Sequence, residues 1–166
     1  METIHINLWG GPCVGKSKMA SNLFSELKSR GINCELVREY AKELVWEESF
    51  NKLDNQILVF ANQHHRHKIL DGKVEIVITD SPIPMGCVYD KGTKFLDDLA
   101  ISEFNKFKNK NFFLKRIYDY QETGRMQTED EAIEKDGEIK TLLGKWNIPY
   151  IEVDSIDDII DNIYDF

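Results

Sequence analysis

The chain has 166 residues, of which 42% are hydrophobic and 30% are charged, and its formal net charge at pH 7 is −8. A chain of this length can build one complete hydrophobic core, so we expect residues 1–166 to form one domain. The acidic balance disfavours a broad nucleic-acid surface, because binding to phosphates draws on many Lys and Arg side chains. No run of about 18 apolar residues is present to span a membrane, and the N-terminus lacks a signal-peptide pattern, so we expect a cytoplasmic protein.

Segments typical of strands and helices alternate along the chain. Runs rich in β-branched and apolar residues predict strands at 3–9, 33–39, 74–80, 111–116 and 149–153. Apolar residues at helical spacing predict helices at 15–30, 40–50, 52–70, 94–109, 129–144 and from about residue 155. Because this alternation implies parallel crossover connections, we expect a three-layer α/β fold, with a five-stranded parallel sheet and helices on both faces.

The first predicted strand leads into GGPCVGKS, residues 10–17, which fits the pattern G-x-x-x-x-G-K-[ST] of the P-loop NTPase fold. Glycines allow successive backbone N–H groups to turn inward, and the lysine brings a mobile cation to the outer phosphates. A predicted strand precedes the motif and an amphipathic helix begins inside it, as phosphate binding requires. We therefore predict that ATP is bound by Gly10, Gly11, Pro12, Cys13, Val14, Gly15, Lys16, Ser17 and Lys18.

The rest of the chain favours a kinase over a switch or a motor protein. The N-K-x-D motif of switch GTPases is missing, and the third predicted strand ends in ITDSP, without the acidic pair usual in motor ATPases. A kinase needs a carboxylate for Mg²⁺, a site for the acceptor and a means to exclude water. Asp80 ends a central strand, where open α/β sheets bind ligands, so we expect it to hold Mg²⁺ with Ser17 or to contact the acceptor.

Three further side chains complete the predicted catalytic set with Lys16 and Asp80. Glu39, next to Arg38 at the end of the second strand, could hold or deprotonate an acceptor group, and either Glu39 or Asp80 would orient it. The excursion 117–128 could close as a lid that places Arg116 and Arg125 on the transferring phosphoryl group. Four of these residues also have structural alternatives: a turn cap for Asp80, a helix cap for Glu39, a surface cation for Arg38 and an ion pair with a surface acid for Arg116.

Four segments in order, GGPCVGKS, VREYAKE, LVFANQHHRHKILDGKVEIVITDSP and RIYDYQETGRMQTEDEA, resemble the P-loop nucleoside and nucleotide kinases over residues 3–153. The nearest likenesses are thymidylate kinases, the ribosylnicotinamide kinase domain and small kinase-like proteins of bacteriophages. The resemblance implies phosphoryl transfer from Mg-ATP to a nucleoside, a nucleotide or a related base-bearing acceptor. It also implies that Gln63 reads the acceptor base, that homodimers are common, and that a phage-encoded protein would act in the host cytoplasm.

Two positions depart from the thymidylate kinase pattern. Ser81 follows Asp80 where those kinases have arginine, and Tyr40 stands where they have proline after the Arg-Glu pair. An arginine contact from residue 81 is therefore lost, and the acceptor pocket is expected to differ.

Two alternatives stay open. Some phage kinases of thymidylate kinase type phosphorylate a hydroxymethylated pyrimidine in DNA, and residues 64–68 and 106–115 could supply a short basic track for a flipped or single-stranded base. The other alternative is a non-catalytic regulator that binds ATP, although mere binding would require neither Asp80 nor an arginine lid.

Two groups of residues favour ordinary structural roles. The HHRH segment, residues 64–67, lacks an accompanying carboxylate or cysteine arrangement and favours a solvated basic face over a metal site. The tryptophans, Trp9, Trp46 and Trp146, are expected in the core or in the wall of a pocket.

Overall fold

The fold is built on one parallel sheet in a computed structural model that describes residues 1–90, 92, 95–116 and 129–163. The strands are β1 (Ile4–Trp9), β2 (Cys34–Val37), β3 (Ile76–Thr79), β4 (Lys108–Leu114) and β5 (Ile151–Val153). They pair in the order β2-β3-β1-β4-β5, and all four neighbouring pairs are parallel. The predicted five-stranded parallel sheet is confirmed.

Seven α-helices connect or flank the strands in the described part of the chain. They are α1 (Lys16–Ser29), α2 (Tyr40–Trp46), α3 (Phe50–Leu53), α4 (Gln56–Lys68), α5 (Leu96–Phe104), α6 (Glu129–Lys145) and α7 (Ile156–Asn162). A 3₁₀ helix, Ile83–Val88, follows the third strand and was not expected from the sequence. None of the helices in the described ranges is both long enough and apolar enough to cross a bilayer.

Three predicted helix boundaries were wrong. The helix expected at 52–70 is two helices, because the Asn55 side chain accepts from Leu58 N at 3.2 Å and starts α4 anew. The helix expected at 40–50 ends at Trp46, and Glu48 then adopts a positive φ of 54°. The helix expected at 94–109 ends at Phe104, whose carbonyl accepts from Asn109 Nδ2 at 2.6 Å.

The sheet separates two hydrophobic cores, because successive side chains of a strand point to opposite faces. Ile6 and Leu8 of β1 pack in one core with apolar residues of α1 and α7. Trp9 packs in the other core with residues of α4, α5 and α6. The predicted three layers, with helices on both faces of the sheet, are therefore confirmed.

The second core contains a buried pair of histidines. His5 of β1 and His67 of α4 are each 1% exposed, and their Nδ1 atoms lie 3.2 Å apart. The prediction of a solvated basic face for residues 64–67 was thus wrong for His67, because the helical period turns it toward the sheet on the same face as Phe60 and Gln63. Within that segment, His65 is exposed.

Burial keeps both histidines neutral at pH 7. It lowers the pKa of His5 to about 4, even though Asp71 Oδ1 lies 3.5 Å from His5 Nε2 and favours the charged form. Burial, together with the neighbouring His5, lowers the pKa of His67 to about 3. The unfolded chain therefore binds more protons than the folded chain once the pH falls below the ordinary histidine pKa of 6.5.

We expect the free energy of unfolding to fall as the pH is lowered from 6.5 towards about 4. Above pH 6.5 the two histidines are neutral in both the folded and the unfolded chain, so they should cause no change with pH. Urea unfolding curves across this pH range measure the effect. Replacing His67 with Leu should flatten the pH dependence, whereas the exposed control His65→Gln should keep it. Equal pH dependence in the wild type and His67→Leu would contradict the assignment.

Candidate active site

The predicted phosphate loop connects β1 to α1 at the carboxyl edge of the sheet. Gly10 has a φ of 143° and Gly15, the N-cap of α1, a φ of 97°, both in the region that disfavours side chains. A Cβ on Gly10 would also lie 2.8 Å from Val14 Cγ1. Both fixed glycines of the motif are therefore required by the backbone conformation that turns the loop around its centre.

The Lys16 ammonium is folded back onto the loop. Its Nζ donates to the carbonyls of Gly10 and Gly11, at 2.6 and 2.9 Å. Burial lowers the pKa of Lys16, while the nearby carboxylates of Glu39 and Asp80 oppose that shift. The lysine thus lies at the point where the motif places the outer phosphates.

Asp80 connects α1, the helix that begins in the phosphate loop, to the start of α2 through hydrogen bonds. It directly follows β3 and is 6% exposed, and its Oδ2 accepts from Ser17 Oγ at 2.6 Å. Its Oδ1 accepts from the backbone N–H of Glu39 at 3.2 Å. The structure therefore brings together the predicted pair Ser17 and Asp80, and gives Asp80 a structural role that goes beyond capping its own turn.

This pair of oxygen ligands fits Mg²⁺. Mg²⁺ commonly takes one or two protein ligands and completes its shell with water and substrate phosphates. The described residues contain no group of three or more His, Cys, Asp or Glu side chains that could hold a metal ion by themselves. Ser17 and Asp80 match the smaller donor set that a phosphate-bound Mg²⁺ needs.

Glu39 lies in the same partly buried region. Burial raises the pKa of its carboxyl group, and Asp80 raises it further, whereas Lys16 and Lys42 oppose the shift. Glu39 occupies the N-cap position of α2, but its side chain makes no capping hydrogen bond. Glu39 therefore does not cap α2 through a hydrogen bond, and its alternative role rests on the helix dipole alone.

Two cavities flank the loop. The first, of about 190 Å³, is lined by Ser17 and Asp80 together with Glu39, the exposed Arg38 and Trp46. Trp46 is 81% exposed, so its ring forms part of the wall of this cavity and lies outside the core.

The second cavity, of about 200 Å³, lies beyond the other side of the loop and is lined by Val14, Gly15, Lys18, Asp154 and other residues. Val14 is buried, whereas Lys18 is exposed near the start of α1. The predicted nucleotide-binding residues thus border two cavities, one on each side of the phosphate loop.

Gln63 has a position that the sequence did not indicate. It is 4% exposed; its Oε1 accepts from Tyr40 N at 3.0 Å, and its Nε2 donates to Ser81 O at 2.9 Å. Both ends of the amide are occupied by backbone groups that fix α2 against the end of β3. The side chain is buried and bonded to two backbone groups, so this geometry favours a structural role for Gln63 over the predicted reading of an acceptor base.

Arg116 contacts the phosphate loop and also forms an ion pair with Asp136, which the sequence did not reveal. Its Nη2 donates to the carbonyls of Pro12 and Ala132, at 2.9 and 3.0 Å, and its Nε donates to Asp136 Oδ2 at 2.6 Å. Asp136 Oδ1 accepts from Gly11 N at 2.5 Å. Arg116 thus pairs with an acidic residue, as its structural alternative expected, but the pair is largely buried, with side chains 20% and 16% exposed.

Asp136 contacts the phosphate loop and was missed by sequence reasoning. It lies within the acidic α6, where nothing in its local pattern separates it from exposed carboxylates. The predicted lid at 117–128 and its Arg125 lie outside the described residues.

Comparison with known structures supports this assignment of the fold. The chain is similar to NadR protein in its complex with NR, with a TM-score of 0.73 and 18% identity over 99% of this chain and 51% of that chain. It therefore spans about half the length of that protein. A mutant APS kinase CysC from Mycobacterium tuberculosis gives a TM-score of 0.47 and 16% identity, over 87% of this chain and 99% of that one.

Comparison with curated proteins finds no match. The expected P-loop fold is nevertheless confirmed by the architecture and by a family profile. The profile of the AAA domain family matches residues 5–158, and the chain belongs to that family.

Proposed function

We propose that the protein is an Mg²⁺- and ATP-dependent phosphotransferase that acts on a nucleoside, a nucleotide or a related base-bearing acceptor. The observation that carries the proposal is the cavity of about 190 Å³ beside Ser17, Glu39 and Asp80. This space adjoins the loop where the terminal phosphate of a nucleotide would end. An acceptor there would lie next to the transferring group, whereas ATP hydrolysis would need room only for water.

The loop and its lysine would bind the phosphates of ATP. The N-terminus of α1 directs backbone N–H groups towards the loop, and Lys16 adds a cation that can move from the loop carbonyls to the phosphates. The second cavity, beside Gly15 and Lys18, would take the nucleoside end of ATP. Ser17 and Asp80 would hold Mg²⁺, which offsets negative charge on the phosphate oxygens when bound.

Glu39 is the carboxylate that we assign to the acceptor. Asp80 already accepts hydrogen bonds from Ser17 and from the backbone of Glu39, and we assign it to Mg²⁺. The raised pKa of Glu39 brings its carboxylate closer to the basicity that suits proton transfer near neutral pH. Glu39 would accept the proton of the attacking hydroxyl, while Trp46 offers an aromatic surface for a base.

The alternative of a base within DNA has less support. Two residues of the expected basic track are buried: His67 is 1% exposed and Lys110 is 6% exposed. They cannot form a solvent-facing path for a nucleic-acid backbone. Arg125 remains a prediction for the lid, since it lies outside the described residues.

A thermal-shift screen of nucleosides, nucleoside monophosphates and nicotinamide riboside, each with Mg²⁺ and a non-hydrolysable ATP analogue, tests the proposal. Ligands stabilise the folded state by mass action, so an acceptor should raise the melting temperature. Compounds that do so should then accept a phosphoryl group from ATP. Tight ATP binding without transfer to any compound of the screen, or to DNA that contains modified pyrimidines, would instead favour the non-catalytic regulator.

Replacing Lys16 with Met should lower the rate of phosphoryl transfer by about 100-fold or more, because charge stabilisation at the transferring group is lost. The melting temperature should change little, since the Lys16 ammonium bonds only to loop carbonyls. The matched control is Lys28→Met, which removes an exposed lysine of the same helix. Near-normal transfer by Lys16→Met would refute the proposed mechanism.

Replacing Glu39 with Gln should remove the acidic limb of the pH–rate profile. In the wild type, turnover should rise with pH as Glu39 loses its proton, and the raised pKa moves this rise above the ordinary range of glutamate. Steady-state rates measured across the acidic range show the limb directly. The exposed Glu47→Gln is the control, and a limb that persists in Glu39→Gln would assign the proton transfer to another group.

A further inference from the structure

We propose that Asp136 is a positioning residue that fixes the first half of the phosphate loop and thereby sets its affinity for nucleotide phosphates. The identity of the ligand in this inference, a nucleotide, rests on the proposed function. The contact between Asp136 and the loop does not, because it is formed entirely by residues of this chain.

The carboxylate of Asp136 joins three separate parts of the chain. One oxygen accepts from the loop at Gly11 N, at 2.5 Å, and the other accepts from Arg116 Nε, at 2.6 Å. Arg116 closes the arrangement by donating to Pro12 O at 2.9 Å and to Ala132 O at 3.0 Å. Loop, strand end and helix α6 are thus held together by four hydrogen bonds.

The low solvent exposure of Arg116 and Asp136 strengthens the hydrogen bonds between them. The side chains of Arg116 and Asp136 are only 20% and 16% exposed. Hydrogen bonds between ionised groups are stronger than neutral ones, and partly buried ion pairs are screened less by salt. Removing one partner would leave the other charged and poorly solvated, so the two side chains act as a unit.

Gly11 supplies an independent observation. The motif G-x-x-x-x-G-K-[ST] does not require glycine at this position, and the backbone of Gly11 does not have a positive φ. A Cβ there would lie 2.7 Å from Asp136 Oδ1, 2.8 Å from Ala132 O and 3.1 Å from Arg116 Nη2. The glycine is therefore needed because α6 and its carboxylate pack directly against the loop backbone.

The position of these contacts connects them to phosphate binding. Lys16 Nζ is held by the carbonyls of Gly10 and Gly11, and Asp136 holds the N–H of Gly11 from the other side. A loop already fixed in its binding conformation loses less conformational freedom when phosphates bind. Arg116 is accordingly assigned to positioning the loop, and its predicted contact with the phosphoryl group is replaced by this role.

The test compares Asp136→Asn with Asp130→Asn, a control that removes an exposed carboxylate from the same helix. Amide hydrogen exchange of the nucleotide-free protein reports on the loop, and calorimetric titration with Mg²⁺ and AMP-PNP reports on affinity. We expect Asp136→Asn to speed exchange at residues 10–14 and to raise the Kd for Mg·AMP-PNP about tenfold. Asp130→Asn should change neither.

Two further variants keep the test independent of folding defects. Arg116→Lys retains the positive charge but loses the guanidinium group that bonds to Asp136 and to two carbonyls. It should therefore speed loop exchange and raise the Kd, but by less than Asp136→Asn does. Gly11→Ala should show them as well, because its Cβ would clash with Asp136 Oδ1 and Ala132 O and so separate the loop from α6.

Each outcome separates this inference from the proposed function. Unchanged loop exchange in Asp136→Asn would overturn the inference, as would a lower melting temperature with an unchanged Kd, which indicates a merely structural role. A wild-type protein that does not bind Mg·AMP-PNP would overturn the proposed function. Loop exchange in the nucleotide-free variants would still decide whether Asp136 positions the loop.

Discussion

The charge balance around Lys16 is the constraint on which the site depends. Burial disfavours the charged form of Lys16, and the carboxylates of Glu39, Asp80 and Asp136 favour it. Conversely, Lys16 opposes the effect of burial on Glu39. Because each of these charges shifts the pKa of the opposite one, changing one member alters the protonation of the others.

The same balance explains why the site suits a nucleotide with a bound cation. A triphosphate would bring additional negative charge towards Glu39, Asp80 and Asp136, while Lys16 is the cation that the motif supplies. A divalent cation on Ser17 and Asp80 offsets this excess at the point where repulsion would be greatest. The charges of these side chains thus support the proposed use of Mg²⁺, in addition to the chemistry of phosphates.

Local patterns were sufficient to predict most of the fold. The buried strand β3 and the loop at residues 10–17 have signals that lie within a few residues of sequence. The start of β4 was missed because it carries Lys108 and Lys110, and charged residues interrupt the apolar pattern that predicts a strand. Lys110 is nonetheless 6% exposed, a consequence of tertiary packing that periodicity does not encode.

The candidate site was predicted only where the motif or the sheet determines position. Ser17 and Asp80 meet because parallel strands bring their carboxyl ends to one edge of the sheet. The role of Gln63 was not predictable, because its amide partners, Tyr40 and Ser81, are set by the packing of α4. Asp136 was missed for a similar reason, since the partner that distinguishes it from other acidic residues of α6 is 125 residues away.

Arg116 shows how tertiary contacts change the interpretation of a catalytic candidate. An arginine directly before a predicted lid is an obvious group for contacting a phosphoryl group, yet here it is bound to Asp136 and to the carbonyls of Pro12 and Ala132. Moving it to the phosphates would break the ion pair and release the loop turn that the phosphates need. The contacts of Arg116 therefore favour the positioning role that we propose for it over direct contact with a phosphoryl group.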